Sequence, residues 1–86
     1  DNIYSFNEYG ISIVELNKKY NLIDKKCNLL SQQWFDVMFS FGKDGLAVVM
    51  LNKKYNLIDT NGKLVSQQWF DSYDEVDDYL MKMVSL

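Results

Sequence analysis

The side chains able to perform chemistry are few, and the main ones occur twice. His and Arg are absent from the chain, and the lack of His removes the commonest general base and metal ligand. Two pairs of carboxylates occupy equivalent positions, Asp24 with Asp59 and Asp36 with Asp71. Such pairs can hydrolyse a glycosidic bond, but all four fall at the ends of predicted strands, where Asp commonly begins a turn. We therefore expect turn-forming acids and no enzyme activity.

Cys27 and an acidic run are weaker candidate sites. Cys27 is a thiol beside the positively charged Lys25 and Lys26, but no His partner exists to activate it. The acids within 74–78 offer carboxylate oxygens to a hard cation, yet they lack the alternating spacing of a calcium loop. An incidental turn thiol and a solvated connector explain these residues better. No phosphate-binding loop is present in the sequence, so we expect no cofactor and no metal ion.

Tryptophan and glutamine form the more informative constellation. The string SQQWFD stands at 31–36 and again at 66–71. In a strand, Gln32 and Trp34 would share one face, so aromatic planes and amides would recur at the repeat spacing. Such a face suits sugar rings or an extended partner, although packing between repeats is the favoured role of the Trp residues. The candidate contact residues are Gln32, Trp34, Gln67, Trp69, Tyr20 and Tyr55.

An internal repeat of 35 residues positions these side chains. The string LNKKYNLID occupies 16–24 and 51–59, and 16 of 21 positions agree between 16–36 and 51–71. Because one repeat cannot bury its own apolar residues, neighbouring repeats must stack, and we expect a longer array. The chain forms a single repeat domain, 1–86, with repeats at 4–38 and 39–73 and a partial third repeat at 74–86.

Each repeat is predicted to contain three short antiparallel strands, which makes the chain all-β. Apolar runs are separated by Asn17-Lys18 and Asn52-Lys53, which suit two-residue turns because Asn tolerates positive φ. The connectors 37–44 and 72–79 are expected to be loops, the second with at most a short helical piece. The repeats then build an open superhelix or a barrel-like stack. The predicted strands are 11–16, 19–24 and 29–35, then 46–51, 54–59 and 64–70, with a looser match at 80–86.

The turn before the third strand differs between the copies. In the second copy it contains Asn61-Gly62, the strongest short hairpin signal, whereas Cys27 replaces the glycine in the first copy. A Cβ at a position with positive φ costs on the order of 1 kcal/mol. We predict a looser or differently shaped turn around Cys27.

Composition excludes several classes of partner. With 86 residues, 48% apolar residues and a net charge of −3, the chain is one small folded domain without the basic cluster that nucleic acid requires. No stretch has the length of a transmembrane span, so we expect no membrane insertion. Localisation is not indicated. The strands at 11–16 and 80–86 would leave exposed edges, which favour a protein partner or self-association.

One set of residues at the turns and strand starts of the second copy forms a recognisable pattern: Phe41, Gly45, Leu46, Ala47, Val49, Lys54, Ile58, Asp59, Asn61, Gly62, Lys63, Phe70 and Asp71. This pattern resembles the WG repeat family, also called KWG repeats. Where that family typically has Trp-Gly, this chain has Tyr20-Asn21 and Tyr55-Asn56. The resemblance implies a bacterial or bacterially associated β-rich repeat protein, and it transfers no catalytic residues.

The repeat and the resemblance together predict a noncatalytic structural or protein-interaction module that presents a repeated β surface. The alternative is a carbohydrate- or cell-surface-binding repeat that uses Trp and Tyr side chains as platforms.

Overall fold

Two three-stranded antiparallel sheets and a C-terminal helix form the fold. The computed structural model describes residues 2–42 and 44–84. The first sheet has the strand order β1-β2-β3 and the second the order β4-β5-β6, so the hairpins of the two repeats lie in separate sheets. The elements are β1 (Asn2–Ile3), β2 (Ile11–Leu16), β3 (Lys19–Asp24), β4 (Val37–Met38), β5 (Ala47–Leu51), β6 (Lys54–Ile58) and α1 (Tyr73–Val84).

The hairpins β2–β3 and β5–β6 are the most regular parts of the fold. Leu16 pairs with Lys19 in the first hairpin, and Leu51 pairs with Lys54 in the second. The linking Asn and Lys residues all adopt positive φ, between 53° and 66°. This geometry twists the chain in the sense that adjacent strands require. The predicted two-residue turns are confirmed.

The third strand of each sheet is not the predicted one. The segments 29–35 and 64–70 form only isolated bridges rather than continuous strands. The third strand is β1 in the first sheet and β4 in the second. Because β4 lies within the connector 37–44, the prediction of a loop there is wrong for these two residues. Since β1 pairs with β2, the strand at 11–16 is central, and the prediction of an exposed edge there is wrong.

The C-terminal segment is helical, so the predicted loop at 72–79 and the loosely matched strand at 80–86 are wrong where the structure describes them. Ser72 caps the helix: its Oγ accepts a hydrogen bond from Glu75 N–H at 3.2 Å. Val76 is fully buried against the second sheet, and Tyr79 packs beside it. Ser85 and Leu86 lie outside the described residues. Twelve residues make a marginal helix in isolation, so this apolar face stabilises it.

Both repeats contribute to one core, as expected for stacked units. Val49 and Leu22 are fully buried and come from different sheets of the same cluster. A second, smaller cluster joins the second sheet to α1 through Val48 and Val76. Interdigitation of this kind supplies the apolar burial that neither repeat has alone. The larger cluster consists of Ile11, Leu22, Phe35, Met38, Ala47, Val49 and Ile58.

The turns that contain Cys27 and Gly62 have the same shape, contrary to the prediction. Cys27 has φ 67° and Gly62 has φ 80°, and each donates its N–H at 3.0 Å to the carbonyl of the Asp three residues earlier. In both turns the Asp carboxylate also accepts two backbone N–H groups. These bonds hold the turn in shape, so Cys27 takes on the strain of the left-handed conformation.

The space around the two positions differs. A Cβ at Gly62 would lie 2.5 Å from the carbonyl oxygen of Leu30, because the backbones of the two repeats touch there. Cys27 is exposed. Glycine is therefore required at position 62 by both φ and packing, whereas at position 27 only φ favours it.

We predict that Cys27→Gly raises the free energy of unfolding by about 1 kcal/mol, since it relieves the left-handed strain and removes no buried contact. Gly62→Ala should lower it by more than about 1 kcal/mol, because strain and the clash with Leu30 add. Urea unfolding followed by circular dichroism measures both changes. A Cys27→Gly protein that is less stable than the parent would contradict this assignment of strain.

Candidate functional site

The paired carboxylates are engaged within the fold. Asp24 accepts hydrogen bonds from the N–H groups of Lys26 and Asn28, each at 2.9 Å. The pKa of Asp24 lies below its usual range, chiefly because of the Asn28 N–H. Asp59 closes its own turn in the same way. Both acids therefore act as turn-forming residues in the structure.

Asp36 joins the two hairpins. Its carboxylate forms an ion pair with Lys19 of β3 and accepts the N–H of Asn52, in the β5–β6 turn, at 2.9 Å. The hydrogen bond from Lys19 is the main cause, and that from Asn52 the second, of a pKa held below the usual range for Asp. Within the described part of the chain, Asp71 has the equivalent ion pair with Lys54 alone, and its side chain is 69% exposed against 27% for Asp36.

The strings SQQWFD contain a break in strand pairing. Ile23 pairs with Leu29. In an unbroken antiparallel ladder Tyr20 would then pair with Gln32, but it pairs with Phe35. Three residues, 32–34, are therefore looped out of the sheet. In the second copy the pairs Ile58–Leu64 and Tyr55–Phe70 show the same break and loop out 67–69. We call 32–34 and 67–69 the two excursions.

A buried asparagine fills the gap beneath each excursion. The Asn21 side chain donates its Nδ2 hydrogen to the Ser31 carbonyl at 2.8 Å, and its Oδ1 accepts the N–H groups of Ser31 and Leu22. Asn56 makes the same three bonds with Ser66 and Leu57. Both amides are fully buried. Each replaces the backbone ladder at the point where the excursion leaves the sheet.

The excursions place the predicted contact residues in unequal positions. Gln32 and Gln67 are exposed, as are the Gln residues that follow them. Trp34 is half-buried, while Trp69 is half-buried and packs against the larger core cluster. The predicted alternation of Gln32 with Trp34 along one strand face is wrong because no strand exists there. The favoured packing role applies to Trp69.

Tyr20 and Tyr55 pair with the residues that directly follow the excursions, but the Tyr20 ring lies beside a cavity and the Tyr55 ring lies against the helix. Tyr20 lines a cavity of about 450 Å³ between the first sheet and the segment 36–41. Tyr55 meets the ring of Tyr73 of α1 edge-on, with centroids 6.3 Å apart. The structure therefore does not gather the six predicted contact residues into one site. The cavity is lined by Tyr4, Ser5, Asn7, Ile11, Ser12, Ile13, Tyr20, Asp36, Val37, Met38, Ser40 and Phe41.

The acidic run forms the first turns of α1. Asp74 and Glu75 lie near the positive end of the helix dipole, where carboxylates are stabilising. Among the described residues, no group of three or more Cys, Asp or Glu side chains is placed to hold a metal ion. Nor does any helix in the described ranges combine the length and apolarity needed to cross a membrane.

These features define a tandem β-hairpin repeat protein, in which each unit contains one hairpin, a short N-terminal strand and one excursion. The chain belongs to the WG repeat family: the family model described as WG containing repeat matches residues 1–20 and 22–55. The resemblance drawn from the sequence is thereby confirmed. No curated protein and no solved structure matches the chain.

We predict that Asn56→Ala lowers the free energy of unfolding by on the order of 2 kcal/mol, because the N–H and carbonyl of Ser66 lose their partner in a partly buried site. Asn21→Ala should behave in the same way. The matched control is Gln68→Ala, an exposed change expected to stay within about 0.5 kcal/mol. Equal stability of the Asn56→Ala and Gln68→Ala proteins in urea unfolding would contradict the role given to the buried amide.

A pH dependence follows from Asp24 and Asp36. Each has a folded-state pKa below its unfolded value, so each stabilises the fold above the unfolded pKa, and this contribution is lost as pH falls through the folded pKa. The free energy of unfolding should therefore fall on acidification below the usual Asp range, with a shallower slope for Asp36→Asn. At neutral pH, Asp36→Asn should destabilise more than Asp71→Asn, the matched change without an Asn52 partner. Urea unfolding at several pH values measures both effects. If the free energy of unfolding of the Asp36→Asn protein depends on pH as steeply as that of the parent, the link between the hairpins through Asp36 is refuted.

Proposed function

We propose that the chain is a noncatalytic interaction module that binds a protein partner through its two excursions. The observation that carries this proposal is the exposure of Gln32 and Gln33 on a backbone fixed at both ends. On one side Ser31 is bonded to the buried Asn21 amide, and on the other Phe35 exchanges two 2.8 Å backbone hydrogen bonds with Tyr20. A loop held in this way loses little further conformational freedom on binding.

The chemistry of the excursions suits a polypeptide. A glutamine amide has two donor hydrogens and an acceptor oxygen, which match the N–H and carbonyl of an extended peptide. Beside the first excursion runs a shallow groove, where Gln33 of one repeat lies near Gly62 and Lys63 of the next. Because 67–69 repeats the geometry, one partner chain can meet both excursions, and two linked contacts raise affinity.

The engagement of the carboxylates supports a noncatalytic role. Asp24 and Asp59 close turns, and Asp36 and Asp71 pair with lysines, so these acids already serve the fold. Self-association is a second form of the same proposal. The outer strand β1 presents Ile3, which is 61% exposed, and an outer strand of this kind can pair with another chain.

Peptide selection tests the proposal. We expect random 12-residue peptides selected on the protein to lose at least tenfold in affinity for the double variant Gln32→Ala/Gln33→Ala. The matched control, Lys25→Ala/Lys26→Ala, changes an exposed turn outside the groove and should retain affinity. Binding that survives the Gln variant but fails in the Lys variant would refute the excursions as the contact surface.

A second experiment tests the alternative function, which is carbohydrate binding. Trp34 and Trp69 report on sugar binding through their fluorescence, and under the proposal a panel of oligosaccharides leaves it unchanged. Saturable quenching by an oligosaccharide, abolished by Trp34→Ala, would favour the carbohydrate-binding alternative instead.

A further inference from the structure

The second repeat contains an aromatic slot that is filled by the chain itself. The ring of Tyr73, at the start of α1, lies edge-on to Phe39 with centroids 5.5 Å apart and edge-on to Tyr55 with centroids 6.3 Å apart. Val76, one helical turn later, is fully buried against Val48 and its neighbours. Edge-to-face geometry of this kind is favourable beyond the apolar area it buries.

The first repeat has the same slot without the third ring. At the repeat offset of 35, Tyr4 corresponds to Phe39 and Tyr20 corresponds to Tyr55. The counterpart of Tyr73 is Met38, which belongs to the extended strand β4 and is buried in the larger core cluster. Among the described residues, neither Tyr4 nor Tyr20 makes a ring-to-ring contact. Tyr4 is 48% exposed.

The cavity of about 450 Å³ lies at this slot. The segment that follows Asp36 is the strand β4, whereas the helix α1 follows Asp71 in the second repeat. Ile11, Ile13 and Met38 supply apolar lining. The volume falls within the range of small-ligand sites and exceeds what a single aromatic side chain needs.

Four polar residues of the lining, Tyr4, Asn7, Ser12 and Asp36, are already hydrogen-bonded within the protein. The Ser12 hydroxyl donates to the Tyr4 carbonyl, and the Tyr4 hydroxyl donates to Glu15 at 3.0 Å. The Asn7 side-chain oxygen accepts two backbone N–H groups, and Asp36 holds Lys19 and the Asn52 N–H. At these four residues a sugar would have to displace existing bonds to satisfy its hydroxyls, whereas an aromatic ring needs no hydrogen bond from the lining.

We propose that this cavity binds an aromatic side chain of a protein partner, presented on a helix with an aliphatic residue three positions later, as Tyr73 and Val76 are presented in the second repeat. The inference rests on the protein-interaction function proposed above and names the chemistry of its partner. The partner helix seats its ring between Tyr4 and Tyr20, and its next turn covers the apolar lining beside Ile13.

The test uses two probes, 4-methylphenol, which is the tyrosine side chain as a free molecule, and a capped peptide of sequence SYDEVDDYLMKM. Both are titrated into the ¹⁵N-labelled full chain. We expect saturable shifts at the amides of Tyr4, Ile13 and Tyr20. A peptide with alanine in place of its first tyrosine should bind at least tenfold more weakly. Shifts confined to Tyr55 and Val76 would mean displacement of α1 and would overturn the proposal.

Three variants sharpen the test. Tyr4→Ala should weaken both probes at least tenfold, and Tyr4→Phe, which keeps the ring, should stay within about twofold of the parent. Phe39→Ala removes the equivalent ring from the second repeat and should leave binding at the cavity intact. Equal binding to the Tyr4→Ala protein, or no saturable shift in the parent at millimolar probe, would overturn the proposal.

Two further experiments distinguish binding at the cavity from glycan binding and from binding at the excursions. Saturation of the same amides by triacetylchitotriose would overturn it in favour of a glycan. Peptides selected through the excursions should still bind the Tyr4→Ala protein, so a failure at the cavity leaves the excursions standing. If those peptides lose affinity for the Tyr4→Ala protein but not for the Gln32→Ala/Gln33→Ala protein, the excursions are refuted as the contact surface and the cavity is supported.

Discussion

The rest of the fold depends on a buried side-chain amide in each repeat. Asn21 and Asn56 each replace a section of backbone ladder with three hydrogen bonds to neighbouring main-chain groups. A buried amide left without partners would be costly, but here it satisfies main-chain groups that have lost their strand partner. The amide thus lets the chain leave the sheet for three residues and rejoin it at Phe35 and Phe70, with the strand pairing shifted by three residues.

The return at Phe35 is also the step from one repeat to the next. Phe35 bonds to Tyr20 in the first sheet, and the next N–H, of Asp36, bonds to Met50 in the second sheet at 2.8 Å. The carboxylate of Asp36 then reaches the second hairpin turn, while the backbones touch where Leu30 meets Gly62. The stack is therefore held by main-chain contacts as well as by a shared apolar core. Such contacts tolerate little change in geometry, which explains why both copies keep the same turns.

The hairpins were predictable from sequence because their signals are local: Asn-Lys turns, strand-length apolar runs and Asp-initiated loops. The excursions were not predictable, because the alternation of side chains along a strand assumes an unbroken backbone hydrogen-bond ladder. Only the buried position of Asn21 shows that a side chain has replaced part of that ladder. The helix has a local signal too, because Ser72 and Glu75 have the spacing of a capping box and Ser72 Oγ accepts the Glu75 N–H. Val76, Tyr79 and Leu80 share a helical face. The repeat offset instead predicts a connector and a strand at these positions. The cavity depends on Tyr4 and Met38, which lie at opposite ends of the first repeat, so no short stretch of sequence contains both.

The two copies differ most in the segment that follows each excursion. The identical strings build the turns, the buried amides and the sheet crossings, and they also leave the Gln residues of both excursions exposed. After Asp36 the chain continues as a strand and leaves a slot open, whereas after Asp71 it becomes a helix and fills the equivalent slot with Tyr73. The same slot is thus open in the first repeat and filled in the second. If the open slot receives the aromatic side chain of a partner, as we propose, divergence of one connector converts a packing contact within the chain into a contact with another chain.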